Sequence, residues 1–190
     1  MSKLRTSLIR FLDFVLAGLG LLVVLPLLTL LCVLSWLDIG SPLFRQTRIG
    51  YLRRPFVILK ISTMKLGTAS VPTHLSRLED ITKFGFWLRK NKLDELPQLW
   101  NVLMGDMSLV GPRPGLVNHV ELTSFRDGLG VFDVRPGITG LAQLKGIDMS
   151  NPELLAQTDM QMLKNMNLKN YFKYIYLTVI GEKNRNRILK

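Results

Sequence analysis

The sequence predicts an α-rich α+β protein in which a membrane helix precedes one small domain of helices with a short β-hairpin. Three observations support this fold class. An uncharged apolar run covers 14–37, two short apolar segments flank Gly50, and helical spacing recurs after residue 90. A chain of 190 residues has room for one compact domain. We divide it into a membrane segment (1–40), a domain (41–181) and a basic tail (182–190).

The charge balance points to anionic partners. The chain has 25 Lys and Arg against 14 Asp and Glu, a formal charge of +11, which suits phosphates, anionic lipid headgroups or nucleic acid. No acidic residue occurs in 39–78, and basic residues anchored at lipid headgroups are the simplest explanation of that segment. Few aromatic residues interleave with these bases, so we expect no nucleic acid partner. The single Cys32 excludes a disulfide framework or a thiolate metal site within one chain.

The apolar run is longer than the roughly 20 residues that span a bilayer. Basic residues lie on both flanks, so both flanks have the character of cytoplasmic segments. Pro26, near the middle, removes a backbone donor and predicts a kink or a break. Thr29 offers a hydroxyl to the disturbed backbone. A kinked spanning helix and a re-entrant helix-break-helix hairpin both satisfy these observations.

The remaining elements follow from local patterns. Strands are expected around Phe44 and over 56–59, on either side of a turn containing Gly50, and a loop over 67–72. A capping box at Ser76 and Glu79 predicts a helix to Lys90. The next helix carries Leu96, Leu99, Trp100 and Leu103, with Asp94 and Glu95 in its first turn and Gly105 at its end.

Two stiff turns and two further helices complete the expected domain. The prolines in 111–115 and 135–137 predict a rigid turn in each segment. Asn151 and Pro152 predict a helix to about Met166. The aromatic, lysine-containing segment 169–176 fits either an amphipathic interfacial helix or a core helix with its tyrosine hydroxyls reaching water.

Asp94 and Glu95 are the candidate catalytic residues. Acidic residues at a helix start are commonly explained by the helix dipole alone. Here Arg89 and Arg113 flank the pair, and a site with two carboxylates and two guanidinium groups suits a magnesium-bound phosphate. An ionised Asp94 could serve as metal ligand or nucleophile. His74 and His119 are isolated in sequence, and we expect them to be structural or solvent-exposed.

Two long blocks carry a family resemblance. The first runs from Lys92 to Pro114 and contains Asp94-Glu95-Leu-Pro-Gln and Gly-Pro-Arg113-Pro; the second is Arg135-Pro-Gly-Ile-Thr-Gly-Leu-Ala-Gln143. Over about residues 10–178 the chain resembles the bacterial sugar transferase family, the monotopic phosphoglycosyl transferases, in their small form. That resemblance favours the re-entrant hairpin, with its break at Pro26.

The resemblance also implies a reaction and a location. Asp94 would attack a UDP-sugar, release UMP and pass the phosphosugar to polyprenyl phosphate, with Mg²⁺ bound at Asp94 and Glu95 assisting the acceptor. The remaining substrate- and phosphate-binding residues implied are Lys60, Arg48, Arg89, Arg113 and Arg135. The expected place is the bacterial inner membrane, with the catalytic domain on the cytoplasmic face.

The chain departs from the family pattern at two places. Lys60-Ile-Ser-Thr-Met64 lacks one expected base, and Leu144-Lys-Gly-Ile147 replaces Asn-Gly-Arg, so beyond an N-acetylated sugar we name no donor. Direct transfer without a covalent step and a non-catalytic, membrane-tethered anion-binding module stay as alternatives. The donor sugar, the pathway, the polyprenyl length and the oligomeric state, a homodimer included, are left open.

Overall fold

The computed structural model describes residues 3–67 and 78–181, and shows a helix-rich α+β chain, as predicted. The elements, in chain order, are α1 (Lys3–Ile39), β1 (Leu43–Ile49), β2 (Pro55–Ile61), α2 (Lys83–Lys90), α3 (Gln98–Met104), β3 (Ser108–Val110), β4 (Gly115–Leu116), α4 (Val120–Gly128), β5 (Gly137–Thr139), α5 (Leu141–Leu144), α6 (Pro152–Lys164) and α7 (Leu168–Val179). The predicted tail 182–190, His74 and most of the predicted loop 67–72 lie outside the described residues.

The predicted hairpin around Gly50 is confirmed. β1 and β2 pair antiparallel in the register Leu43 with Ile61 through Ile49 with Pro55. The connection turns sharply because Leu52 and Arg53 adopt left-handed backbone conformations, with φ of 51° and 61°. β4 extends the sheet on the other side of β1.

A second, two-stranded sheet brings the two proline-containing turns together. β3 pairs parallel with β5, and the backbones of Gly111 and Gly137 touch beside this pair. A Cβ on Gly137 would lie 2.0 Å from the Gly111 nitrogen, so only glycine fits there. The two motifs that are 20-odd residues apart in sequence thus form one rigid unit.

α1 is long and apolar enough to cross a membrane, by length and composition. A kink or a break was predicted at Pro26; the break is absent, since helical structure runs from Lys3 to Ile39 with Pro26 inside, and the kink stays a prediction. Pro26 cannot donate a backbone hydrogen bond to the preceding turn, and the Thr29 hydroxyl donates to the Leu25 carbonyl at 2.9 Å. The helix is therefore continuous through the proline, and the re-entrant path stays a prediction.

Both halves of α1 pack against the same domain. Before Pro26, Ala17 joins a core cluster with Val102 and Met107. After it, Leu31 packs on Ile61 and Leu88 in another cluster. Between and around these contacts, the helix presents large exposed apolar side chains, among them Leu19, Leu22, Val23, Leu25, Leu27 and Leu30. An apolar surface of this extent is typical of a lipid-facing segment.

A buried carboxylate fastens the first half of α1. Asp13 is 1% exposed and accepts hydrogen bonds from the Ser108 hydroxyl (3.0 Å), the Leu109 amide (2.9 Å) and the Tyr171 hydroxyl (2.8 Å). Three donors offset the cost of burying this group. The apolar run thus begins directly after an anchor that joins α1, β3 and α7.

The predicted helices near the carboxyl end are confirmed. Asn151 caps α6, its side chain accepting from the Leu154 amide, and α6 ends at Lys164. α7 is amphipathic: Tyr171 and Tyr174 are buried, whereas Phe172 and Tyr176 are exposed. The core interpretation therefore holds for one face of this helix, and an interfacial position of its exposed face stays a prediction.

The helix expected over 76–90 is shorter than predicted. α2 begins at Lys83, because the Thr82 hydroxyl accepts from the Gly85 amide and caps the helix. Glu79 lies in a separate 3-10 turn, Leu78–Asp80. Ser76 lies outside the described residues.

Candidate active site

Asp94 and Glu95 lie in a 3-10 turn, Leu93–Glu95, between α2 and α3. They were expected in the first turn of the following α-helix, and that placement is wrong, because α3 begins only at Gln98. Pro97 has no N–H to donate to the Leu93 carbonyl, so one α-helical hydrogen bond is missing at this position. The segment instead makes bonds three residues apart, Leu96 N–H to Leu93 O and Trp100 N–H to Pro97 O.

The turn opens onto a cavity of about 470 Å³. Strands β1 and β2, the end of α2 and the loop before β4 supply its walls. The structure brings six of the seven predicted catalytic and phosphate-binding residues to this cavity: Arg48, Lys60, Arg89, Asp94, Glu95 and Arg113. Residues up to 65 positions apart in sequence therefore share one basic pocket with two carboxylates.

Glu95 is held by two cations. One of its carboxylate oxygens accepts from Lys60 Nζ at 2.9 Å and from an Arg113 guanidinium nitrogen at 2.7 Å. Burial favours the neutral form of Glu95, but the charges and hydrogen bonds of Arg113 and Lys60 outweigh it and hold its pKa well below the ordinary value. Glu95 also raises the pKa of Arg113. The three groups are thus a charged cluster at neutral pH.

Asp94 is in a different environment. Its side chain is 10% exposed, and its nearest cation is Lys60, with Nζ 3.9 Å from Oδ2. Burial raises the pKa of Asp94, and the charge of Glu95 acts in the same direction, while Lys60, Arg89 and Arg113 oppose both. Asp94 is therefore a buried carboxylate at a basic cavity, and its ion pair with Lys60, at 3.9 Å, is longer than the ion pairs of Glu95.

Two further arginines border the cavity. Arg89 donates from Nε to the Thr63 hydroxyl at 2.9 Å, and burial lowers the pKa of its guanidinium. Arg48 donates to the Gln46 side chain and to the Pro114 carbonyl at 3.5 Å. Burial, with repulsion from Arg113, lowers the pKa of Arg48 to about 10. Positive charge is thus concentrated here at a cost, which a bound anion would relieve.

Arg135 is the one predicted residue that the structure does not bring to this cavity. Its Nε donates to the Gly105 carbonyl at 2.7 Å, and its guanidinium carbon lies 5.2 Å from the centre of the Tyr51 ring. It borders a separate cavity next to Arg10 and Asp13. The rigid turn before β5 directs Arg135 to that side, so its phosphate-binding role stays a prediction.

Sequence reasoning missed the polar residues that support the cavity. Asn101 of α3 accepts from the Leu59 amide at 3.0 Å and donates to the Val57 carbonyl at 2.8 Å, which fixes β2 beside Lys60. Thr63 fixes Arg89. A polar Asn within the apolar helical pattern of α3 was an available signal, but its partner strand could not be named from sequence.

Comparison with known proteins agrees with this site. A family model described as bacterial sugar transferase matches residues 4–182. The chain belongs to the bacterial sugar transferase family. The resemblance carried by the Asp94-Glu95 and Arg113 blocks is therefore confirmed, and the protein is a transferase.

Individual relatives differ in length. A Caulobacter vibrioides protein named UDP-glucose:undecaprenyl-phosphate glucose-1-phosphate transferase is 39% identical over 90% of this chain and 67% of its own length. An Escherichia coli K12 protein of the same name is 36% identical over 88% of this chain, but the match spans 38% of that protein. A Bacillus subtilis protein named as an uncharacterized sugar transferase is 40% identical over 75% of this chain and 71% of itself.

The donor set at the cavity limits how a metal could be held. No group of three or more His, Cys, Asp or Glu side chains occurs among the described residues. Glu95 is engaged by two cations, which leaves Asp94 as the carboxylate for a divalent ion. Mg²⁺ commonly binds proteins through one or two carboxylates, with phosphate oxygens and water completing its coordination. The residues therefore fit a Mg²⁺ ion that arrives with a phosphate substrate.

Proposed function

We propose that this transferase moves a sugar-1-phosphate from a UDP-sugar to polyprenyl phosphate, releasing UMP, by way of a phosphosugar carried on Asp94. The observation that supports this most directly is Asp94 itself, a buried carboxylate that lines a 470 Å³ basic cavity and is paired with Lys60 only at 3.9 Å. The names of relatives, which specify undecaprenyl phosphate and UDP-glucose, agree with the proposal.

In the first step, an Asp94 carboxylate oxygen attacks the phosphorus next to the sugar. A bond forms between that oxygen and phosphorus, and the bond from phosphorus to the bridging oxygen breaks. UMP leaves with the bridging oxygen and its electron pair. Arg89, Arg113 and Arg48 border the cavity and would stabilise the negative charge on the phosphate oxygens.

In the second step, a phosphate oxygen of the polyprenyl phosphate attacks the same phosphorus. The acyl phosphate bond to Asp94 breaks, and the carboxylate leaves with the electron pair and is regenerated. Two displacements at one carboxylate let a single cavity serve a soluble donor and a lipid acceptor in turn. Bound Mg²⁺, held by Asp94, would supply neutralisation of phosphate charge.

Glu95 holds the cations in place. Its low pKa makes it a weak base, so the ion pairs with Lys60 and Arg113 favour a role in orienting these two cations over the acceptor-activating role expected from the resemblance. Lys60 would lie between both carboxylates and keep Asp94 ionised for attack.

A re-entrant α1 fits this reaction at a membrane surface. The contacts of Ala17 and Leu31 with one domain, on opposite sides of Pro26, support a path that leaves both ends of α1 at the cytoplasmic face of the bacterial inner membrane. Cysteines placed at Ser2 and Gly67 should then react with the same membrane-impermeant reagent from one side. Reaction from opposite sides would establish a spanning helix instead.

Trapping the intermediate tests the chemistry. Purified protein in detergent, given UDP-sugar and Mg²⁺ without acceptor, should gain the mass of one phosphosugar, and peptide mapping should locate it on Asp94. Asp94→Asn should abolish both the adduct and UMP release. The matched control is Asp148→Asn, which makes the same change on an exposed side chain and should leave both intact.

The outcomes separate the alternatives. Acceptor-dependent UMP release with no adduct would support direct transfer, and substantial activity in Asp94→Asn would remove Asp94 from the nucleophile role. No UMP release from any donor would favour an anion-binding module. A panel containing UDP-glucose, UDP-galactose and UDP-N-acetylhexosamines identifies the sugar, and tests the expectation of an N-acetylated donor.

A further inference from the structure

The loop that carries Arg113 is held almost entirely through its backbone. Pro112 and Pro114 have no N–H, so the loop can accept hydrogen bonds but has few to donate. The Pro112 carbonyl accepts from the Gly137 amide at 2.9 Å, and the Pro114 carbonyl accepts from Arg48 at 3.5 Å. The carbonyl between them, that of Arg113, is a further point at which the loop backbone beneath this side chain can be held.

That carbonyl is bound by a buried arginine outside the cavity. Arg126 of α4 donates from one terminal guanidinium nitrogen to the Arg113 oxygen at 2.8 Å. The rest of its guanidinium faces Asp159 of α6, donating to Oδ2 from Nε at 3.1 Å and from the other terminal nitrogen at 2.6 Å. Arg126 is 2% exposed and Asp159 is 0% exposed.

The two hydrogen bonds to Asp159 determine where the third guanidinium nitrogen of Arg126 points. A guanidinium is planar, and two hydrogen bonds to one carboxylate oxygen set the direction of the group. The nitrogen that remains is then aimed at the Arg113 carbonyl. A buried carboxylate is costly without a cationic partner, so Asp159 in turn keeps Arg126 in place.

We infer that Arg126 and Asp159 are positioning residues for the transfer reaction, acting through the Arg113 backbone. They link α4 and α6 to the loop, and Arg113 continues the link to Glu95 at 2.7 Å. Neither residue borders the cavity that contains Asp94. The inference rests on the proposed function for its effect on the rate, but the restraint on the loop is independent of the chemistry.

Arg126→Lys tests the restraint. Lysine keeps a positive charge beside Asp159, so the carboxylate is not left unpaired. A single ammonium group cannot make both hydrogen bonds to Asp159 and also reach the Arg113 carbonyl. Hydrogen–deuterium exchange of the backbone amides in 111–116 should accelerate by about tenfold or more. Asn151→Ala, which removes the cap of α6 without touching the loop, is the control for general loosening. Unchanged exchange in Arg126→Lys would overturn the inference.

A double-mutant cycle tests the effect on catalysis. In the wild-type background, Arg126→Lys should lower kcat/KM for UMP release by about 10- to 100-fold, the size expected for misplacing a substrate-binding group by about 1 Å. In an Arg113→Lys background the further loss should be under about threefold, because the positioned guanidinium is already gone. Equal losses in both backgrounds would show a merely structural role.

A second variant guards against misfolding. Asp159→Asn keeps the shape of the side chain and removes its charge, and it should reproduce both effects with smaller amplitude. If Arg126→Lys does not fold, Asp159→Asn decides the inference by the same two measurements. If the wild-type protein releases no UMP, the proposed function is refuted instead. The hydrogen exchange rates of residues 111–116 would then by themselves test whether Arg126 restrains the loop.

Discussion

Lys60 is the cation nearest to Asp94, and its removal should change the pH dependence of transfer. Lys60→Met keeps much of the side-chain length and removes the charge 3.9 Å from Asp94 Oδ2. At this distance, two unit charges interact by about 1 kcal/mol in a water-like medium and by about 4 kcal/mol at an effective dielectric constant of 20. Both side chains are mostly buried, so the interaction should be closer to the upper figure.

The direction follows from the nucleophile role. Asp94 must be ionised to attack, and Lys60 favours its ionised form. Without Lys60 the carboxyl loses its proton at higher pH, so the acidic limb of the kcat/KM profile should move upward. One pH unit corresponds to about 1.4 kcal/mol, and we expect a displacement of about one unit or more.

The assay is UMP release from the UDP-sugar, measured from about pH 5 to 9 at constant ionic strength. Lys145→Met, on an exposed side chain, is the matched control and should leave the profile in place. Lys60→Arg restores the charge and should move the limb back. A limb that stays at the wild-type pH in Lys60→Met, even with a lower plateau, would refute the electrostatic role of Lys60 at Asp94.

Three further predictions concern Glu95, the glycine contact beside β5 and the dependence on Mg²⁺. The pKa of Glu95 in the folded protein is below its ordinary value, so ionised Glu95 stabilises the fold above about pH 4.3, and this stabilisation is lost as the pH falls. The difference in melting temperature between wild type and Glu95→Gln should therefore shrink on acidification. A gap that widens would contradict the pairing. Gly137→Ala should lower the free energy of unfolding by about 3 kcal/mol or more, whereas Gly128→Ala, with open space around it, should change little in the same thermal melt. EDTA should stop UMP release and added Mg²⁺ restore it; full activity in EDTA would exclude the ion.

The family could be predicted because its motifs lie in short contiguous blocks. Asp94, Glu95 and Arg113 stand in segments whose residue types and order are specific, and the hairpin around Gly50 follows from local turn chemistry. The boundaries were less accurate. The start of α2 at Lys83 depends on the Thr82 cap, and the 3-10 turn at Asp94 depends on a proline three residues later.

The supporting contacts could not be predicted, because they join distant segments. Glu95 binds Lys60 across 35 positions, Arg126 binds Asp159 across 33, and Asp13 binds the Tyr171 hydroxyl across 158. Nothing in the local pattern distinguishes these side chains from ordinary charged or polar residues at helix and strand positions. Their burial emerges only when the elements pack.

The family, the helix-rich class and an apolar helix long enough to cross a membrane follow from amino-acid order alone, since hydrophobic period, turn residues and short motifs act over a few positions. Packing decided the different electrostatic environments of two adjacent carboxylates. Glu95 turns toward Lys60 and Arg113, while Asp94 faces the cavity at a longer distance from any cation. Electrostatic energy depends on distance and burial in three dimensions, and neighbouring positions in a sequence do not specify either.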